Sequence, residues 1–89
     1  MRERDIEKYL ADSMVKLGGV CWKWNGFLGV PDRICIVPGG EVVFVELKKA
    51  GGRLSKIQLH RHNTLRKLGA RVEVLWSKTD VDDFICTLL

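Results

Sequence analysis

The sequence predicts an α/β domain in which a mixed β-sheet is flanked by helices, with elements in the order α-β-β-β-α-β-α. Three patterns lead there. Apolar residues recur at helical period near the N-terminus, and two strongly β-prone segments flank Pro38-Gly39-Gly40. A strand–helix–strand unit then runs from Glu41 to Trp76, and such a crossover places its second strand parallel to its first.

Residues from about Glu3 to Leu17 read as the first helix, because Ile6, Leu10, Met14 and Leu17 fall on one face. Gly18-Gly19 stops it, as glycine does just past a helix end. Val20 to Trp24 is β-prone and Asn25-Gly26 signals a turn. Arg33 to Val37 and Glu41 to Leu47 form a hairpin around a three-residue loop. Past a flexible Gly51-Gly52, Ser55 opens the second helix with Gln58 three residues on, the pattern of a capping box. Ile57, Leu65 and Leu68 supply part of its apolar face, and Gly69 ends it. Arg71 to Trp76 is the last strand. Thr79 is the expected cap of a short final helix with Asp80, Asp82 and Asp83 in its first turn and Val81, Phe84, Ile85 and Leu88 on its buried stripe.

These 89 residues, 46% of them apolar, suffice for one small domain spanning 1–89, with no repeat or linker. No apolar run approaches the roughly 18 residues of a membrane span. The charged start Met1-Arg2-Glu3-Arg4-Asp5 is unlike a signal peptide, so an intracellular, cytoplasmic protein without a membrane partner is the expectation. Cys21, Cys35 and Cys86 are odd in number and widely spaced among apolar residues, which reads as buried free thiols rather than a zinc site. Trp22, Trp24 and Trp76 on β-prone runs read as core, and His60 and His62 as surface or packing residues. The net charge of +4 hides an asymmetry. Lys48, Lys49, Arg53, Lys56, Arg61, Arg66, Lys67 and Arg71 lie between Leu47 and Val72 with no acidic residue among them, while the rest of the chain is net acidic. Such a block suits either a polyphosphate partner or a well-solvated helix face.

The residues that can carry chemistry converge on the middle strands. Pro31-Asp32 precedes the second strand, and Glu46-Leu47-Lys48 ends the third, where alternation puts Glu46 and Lys48 on one face. Since a hairpin joins these strands, Asp32 falls close to Glu46. Two carboxylates can hold Mg²⁺ or Mn²⁺ while leaving positions open for water and a phosphate oxygen. A lysine beside them can stabilise developing charge and orient or help deprotonate the attacking water. A lone Glu-x-Lys is commonplace on exposed strands; the Pro-Asp one hairpin upstream is what makes the set specific.

Gly29-Val30-Pro31-Asp32, Phe44-Val45-Glu46-Leu47-Lys48 and Ser55-Lys56-Ile57-Gln58 together resemble the PD-(D/E)xK nuclease superfamily, and within it the VRR-NUC family. The resemblance covers nearly the whole chain and implies a restriction-endonuclease-like core. It implies Asp32 and Glu46 as metal ligands, the Leu47 backbone carbonyl as a further ligand, Lys48 as the catalytic lysine and Gln58 as part of the signature. An acidic residue on the first helix belongs to the family pattern; Glu7 is the first candidate, directly or through water, and Glu3 the second. Stand-alone viral and bacterial members resemble Holliday-junction resolvases, so the resemblance implies a homodimeric DNA endonuclease using Mg²⁺ or Mn²⁺ on branched DNA, with no small-molecule cofactor. Within the basic block, Lys49, Arg53, Lys56 and Arg61 are the residues expected against the phosphates.

Bland readings stand beside these roles. Asp32 could only begin a turn, Glu7 could pair with Arg4 or Lys8, and Gln58 could only cap its helix. At the level of function, a DNA nickase or exonuclease and a DNA-binding module with a vestigial centre are the alternatives. A helix-turn-helix regulator fits poorly, because the basic helix follows a strand and Gly-Gly.

Overall fold

A computed structural model describes all residues from Met1 to Leu89. Its first element, α1 (Glu3–Leu17), buries Ile6, Leu10 and Met14 on the predicted face. It ends where Gly18 takes a left-handed φ of +94°, a conformation that lets the Gly19 N–H reach back to the Met14 carbonyl at 2.9 Å. Three strands follow: β1 (Val20–Lys23), β2 (Arg33–Ile36) and β3 (Val42–Leu47). The chain then forms α2 (Lys56–Lys67), β4 (Arg71–Leu75) and α3 (Lys78–Cys86). This is the α-β-β-β-α-β-α order expected.

The sheet runs β1-β2-β3-β4, antiparallel at its first two pairings and parallel between β3 and β4. Period-two alternation divides its residues between two unlike faces. Cys35, Val43, Val45, Leu47 and Leu75 point to one side, where they pack with Ile6, Leu10 and Met14 of α1 and Val81 and Phe84 of α3 into the apolar core. Tyr9 ties the two helices together by donating to Asp82 at 2.6 Å. Asp32, Phe44 and Glu46 point to the other side, and only α2 lies there, chiefly against β4.

Several local expectations need correction. Ser77, not Thr79, caps α3. Its hydroxyl accepts from the Asp80 N–H at 3.0 Å while the Asp80 carboxylate accepts from the Trp76 N–H at 2.8 Å, so β4 stops at Leu75 and the helix begins sooner. Leu68 is 81% exposed because it sits at the C-cap of α2, past the last turn that touches the sheet. Trp22 is 60% exposed rather than core, since α2 covers the β4 end of the sheet and leaves the β1 end open. Of the three free cysteines only Cys35 is buried; its register partner Cys21 is half-buried, and Cys86 is exposed in the last turn of α3.

Candidate active site

Register builds the site. Arg33 faces Val45 across the hairpin, so Asp32, one residue before β2, comes opposite Glu46. Buried Pro31 leads the chain in, and the Trp24 N–H donates to the Asp32 carbonyl at 3.0 Å. The Asp32 carboxylate accepts from the Leu47 N–H at 2.9 Å, which fixes it against the end of β3.

Glu46 is 1% exposed, a costly place for a carboxylate unless it is bonded or neutralised. Burial, reinforced by the Asp32 carboxyl within hydrogen-bonding reach, pushes its pKa up to about 8; Lys48 opposes the shift. The remaining contacts come from α2. Gln58 donates from Nε2 to Glu46 Oε2 at 3.4 Å, and His62 Nε2 lies 3.2 Å from Oε1. His62 is fully buried and its Nδ1 has no partner. Burial, aided by the charge of Arg66, lowers its pKa, so at neutral pH the ring is uncharged and Nε2–H can donate to Glu46 Oε1.

His62 is the residue that sequence reasoning passed over, having assigned it to surface or packing. A usable signal existed: Gln58, His62 and Leu65 recur at i, i+4 and i+7, and the capping box fixes where that count begins. Gln58 caps its helix and also touches Glu46. Its Oε1 accepts from the Ser55 N–H at 2.8 Å and its backbone N–H donates to Ser55 Oγ at 3.2 Å, while its amide nitrogen reaches Glu46.

Asp32, Glu46, Lys48 and Gln58 are thus brought together. Glu7 is not. Its carboxylate receives Arg33 Nε at 2.6 Å on the α1 side of the sheet, a partner 26 residues away rather than Arg4 or Lys8; Lys8 instead holds Asp12 at 2.9 Å. Of the two acids considered on α1, Glu3 is the one whose charge is felt at Glu46. Lys49, Arg53 and Lys56 are exposed around the segment that joins β3 to α2. Arg61, half-buried, donates to the Leu28 carbonyl at 3.3 Å.

The donor set suits a hard divalent cation. Two carboxyl groups crowd one another at a buried spot, and the ring nitrogen nearby is uncharged. A cation between them would remove the repulsion that raises Glu46. No cluster of three or more His, Cys, Asp or Glu side chains surrounds the spot. Its remaining coordination would come from backbone carbonyl, water or a phosphate, as is usual for Mg²⁺.

Comparison with known proteins finds relatives over most of the chain. Over 80 residues the chain is 41% identical to "Putative nuclease p44" of Acyrthosiphon pisum secondary endosymbiont phage 1, covering 88% of this chain and 86% of that one. A solved structure described as "VRR_NUC domain" is 33% identical and superposes with a TM-score of 0.87, over 98% of this chain and 97% of its own. No protein-family model matches the chain.

Proposed function

The chain belongs to the VRR-NUC family of nucleases, and on that premise we propose that its 89 residues form one DNA endonuclease domain, dependent on Mg²⁺ or Mn²⁺ and selective for branched DNA. The observation that carries the proposal is the pairing of Asp32 with Glu46 across the hairpin, with Lys48 two residues farther along the same face.

Asp32 and Glu46, with the Leu47 carbonyl between Glu46 and Lys48, would hold the cation. A bound Mg²⁺ or Mn²⁺ supplies neutralisation of the scissile phosphate and a water acidic enough to attack at neutral pH. Lys48 would orient the attacking water and stabilise the charge that develops on the phosphate oxygens. Gln58 and His62 hold the two oxygens of Glu46 in place, so that the carboxylate does not swing as charge moves in front of it. Glu3, or Glu7 if it releases Arg33, would act on the cation side through water. Lys49, Arg53, Lys56 and Arg61 bind the flanking phosphates, which makes affinity fall with salt.

A four-way junction has approximate two-fold symmetry and needs two cuts, whereas one chain has one centre. A C₂ homodimer supplies both, and it buries surface that a domain this small leaves exposed. Leu89, exposed at the C-terminus, with the half-buried Ile85 and Leu88, is the segment proposed to contribute to it; Phe84, which the sequence groups with them, is buried in the core and does not.

Incubating the protein with four-way junction, flap and linear duplex DNA, with and without Mn²⁺, tests this directly. Metal-dependent cleavage that favours the junction supports the reading. Equal cleavage of linear duplex, from a particle with the mass of one chain in sedimentation, would replace it with a simple nickase.

A further inference from the structure

Between β1 and β2 the chain crosses an uncharged loop, Trp24 to Pro31, whose tip carries two large apolar side chains facing water. Phe27 is 61% exposed and Leu28 78%. This tip is held rather than loose. The Trp24 ring packs against Phe44 at 5.3 Å between centroids and meets Phe27 edge-on at 6.4 Å. Gly29, with φ of +87°, presses so close to α2 that an added Cβ would lie 2.8 Å from Ile57 Cγ1 and 2.9 Å from the Ile57 carbonyl. Arg61 completes the anchorage, its guanidinium 4.8 Å over the Phe27 ring while its Nε bonds the Leu28 carbonyl.

Two features of this placement identify what the tip meets. The loop runs directly into Pro31-Asp32, so Phe27 stands a few residues from the carboxylate pair on the side where α2 lies. It also stands beside the basic block, with Arg61 stacked on it and Lys56 at the start of the same helix. An aromatic ring backed by a guanidinium at the rim of a phosphate-binding surface is suited to a nucleobase, whose π-face stacks on the ring while its phosphates meet the cations. A second copy of the chain would bring the same basic block against this one and be repelled. A base is free to stack there only where it is unpaired, as at a gap, a flap or a branch point.

We propose that Phe27, with Leu28 beside it, is a wedge that stacks on an unpaired base next to the scissile phosphate and gives the nuclease its preference for splayed over continuous DNA. The proposal rests on the assignment of Asp32, Glu46 and Lys48 as the cleavage centre, but its test does not require cleavage. Binding is measured in EDTA to a duplex with a short gap and to the intact duplex of equal length, with 2-aminopurine placed in the gap. The wild-type chain should prefer the gapped DNA and quench the probe. Phe27→Ala and Phe27→Leu should each weaken gap binding on the order of 10-fold, the effect of losing one stacked base, and abolish the quench. Phe27→Trp should keep both. The side chain is largely exposed, so these variants should fold, as their thermal melts will report. Wild-type gap affinity and quench in Phe27→Ala would overturn the wedge. So would an equal loss on intact duplex, which would make Phe27 a general contact, or a fall in sedimentation mass, which would make the tip a subunit interface. A chain that binds and quenches the gapped probe yet cuts no DNA would refute the nuclease assignment and leave the wedge standing.

Discussion

In the absence of metal, the stability of this domain should fall as pH rises from about 6.5 to 8, and Glu46→Gln should remove that fall. Burial and the Asp32 carboxyl raise Glu46 from the ordinary 4.5 to about 8. Between those values the folded chain keeps a proton that the unfolded chain has released, so stability declines with each step in pH and levels off above 8. His62 works the other way. Burial lowers its pKa below 6.5, so its contribution is complete above 6.5 and is lost only at lower pH, where it partly offsets Glu46. The window from 6.5 to 8 therefore reports the carboxyl pair. One proton is worth about 1.4 kcal/mol per pH unit, so roughly 2 kcal/mol disappears across it, or a drop in Tm on the order of 10 °C for a domain of this size. Thermal melts in EDTA would measure it. Glutamine is uncharged throughout and fits the same space, so its profile should be flat, and excess Ca²⁺ should flatten the wild-type profile. Parallel profiles for wild type and Glu46→Gln would show that the carboxyl pair is not strained, and the argument for a cation there would lose its physical basis.

Other outcomes follow from the same atoms. Cleavage should require Mg²⁺ or Mn²⁺, with Ca²⁺ binding but not supporting it; turnover in excess EDTA would rule out the mechanism. The two roles of Gln58 are separable: Ser55→Ala should cost about 1 kcal/mol of stability in denaturant titrations and leave cleavage within a few-fold. Gln58→Glu should keep the cap but set a second carboxylate against Glu46, and so lose cleavage with little loss of stability at low pH. His62→Phe fills the same pocket without a donor; calorimetric titration should find Mn²⁺ affinity lowered about 10-fold, as is common when a ligand loses its supporting hydrogen bond.

Much of the fold was legible because it obeys local rules. The period of Ile6, Leu10 and Met14, the stop at Gly18, the Pro38-Gly39-Gly40 turn and the Ser55–Gln58 cap each depend on a few neighbouring residues. Within the candidate site, the approach of Asp32 to Glu46 was legible for the same reason, since a tight hairpin fixes register. What the sequence left hidden depends on which residues meet across the molecule. The bond from Arg33 to Glu7 joins positions 26 apart, and no local pattern distinguishes it from a pair with Arg4 or Lys8 within α1. Whether Trp22 is core depends on where α2 crosses the sheet. His62 is polar in a helix with few apolar residues, so its burial becomes visible only once α2 is set on β3 and β4.

That setting has a consequence for dynamics. His62 is the one buried residue of α2, whereas α1 buries Ile6, Leu10 and Met14 in the apolar core. The docking of α2 therefore leans on hydrogen bonds to Glu46 more than on apolar burial, and those bonds are strongest when Glu46 is ionised and accepts from Gln58 and His62. A cation that keeps Glu46 ionised should accordingly tighten α2 against the sheet, so that binding at the carboxylates and ordering of the basic helix are one event. Hydrogen exchange at pH 7 should show α2 amides slowed several-fold by excess Ca²⁺, with those of α1 little changed. Equal slowing in both helices would mean that Ca²⁺ stabilises the domain as a whole, and no change in α2 would mean that Glu46 does not link the helix to the site.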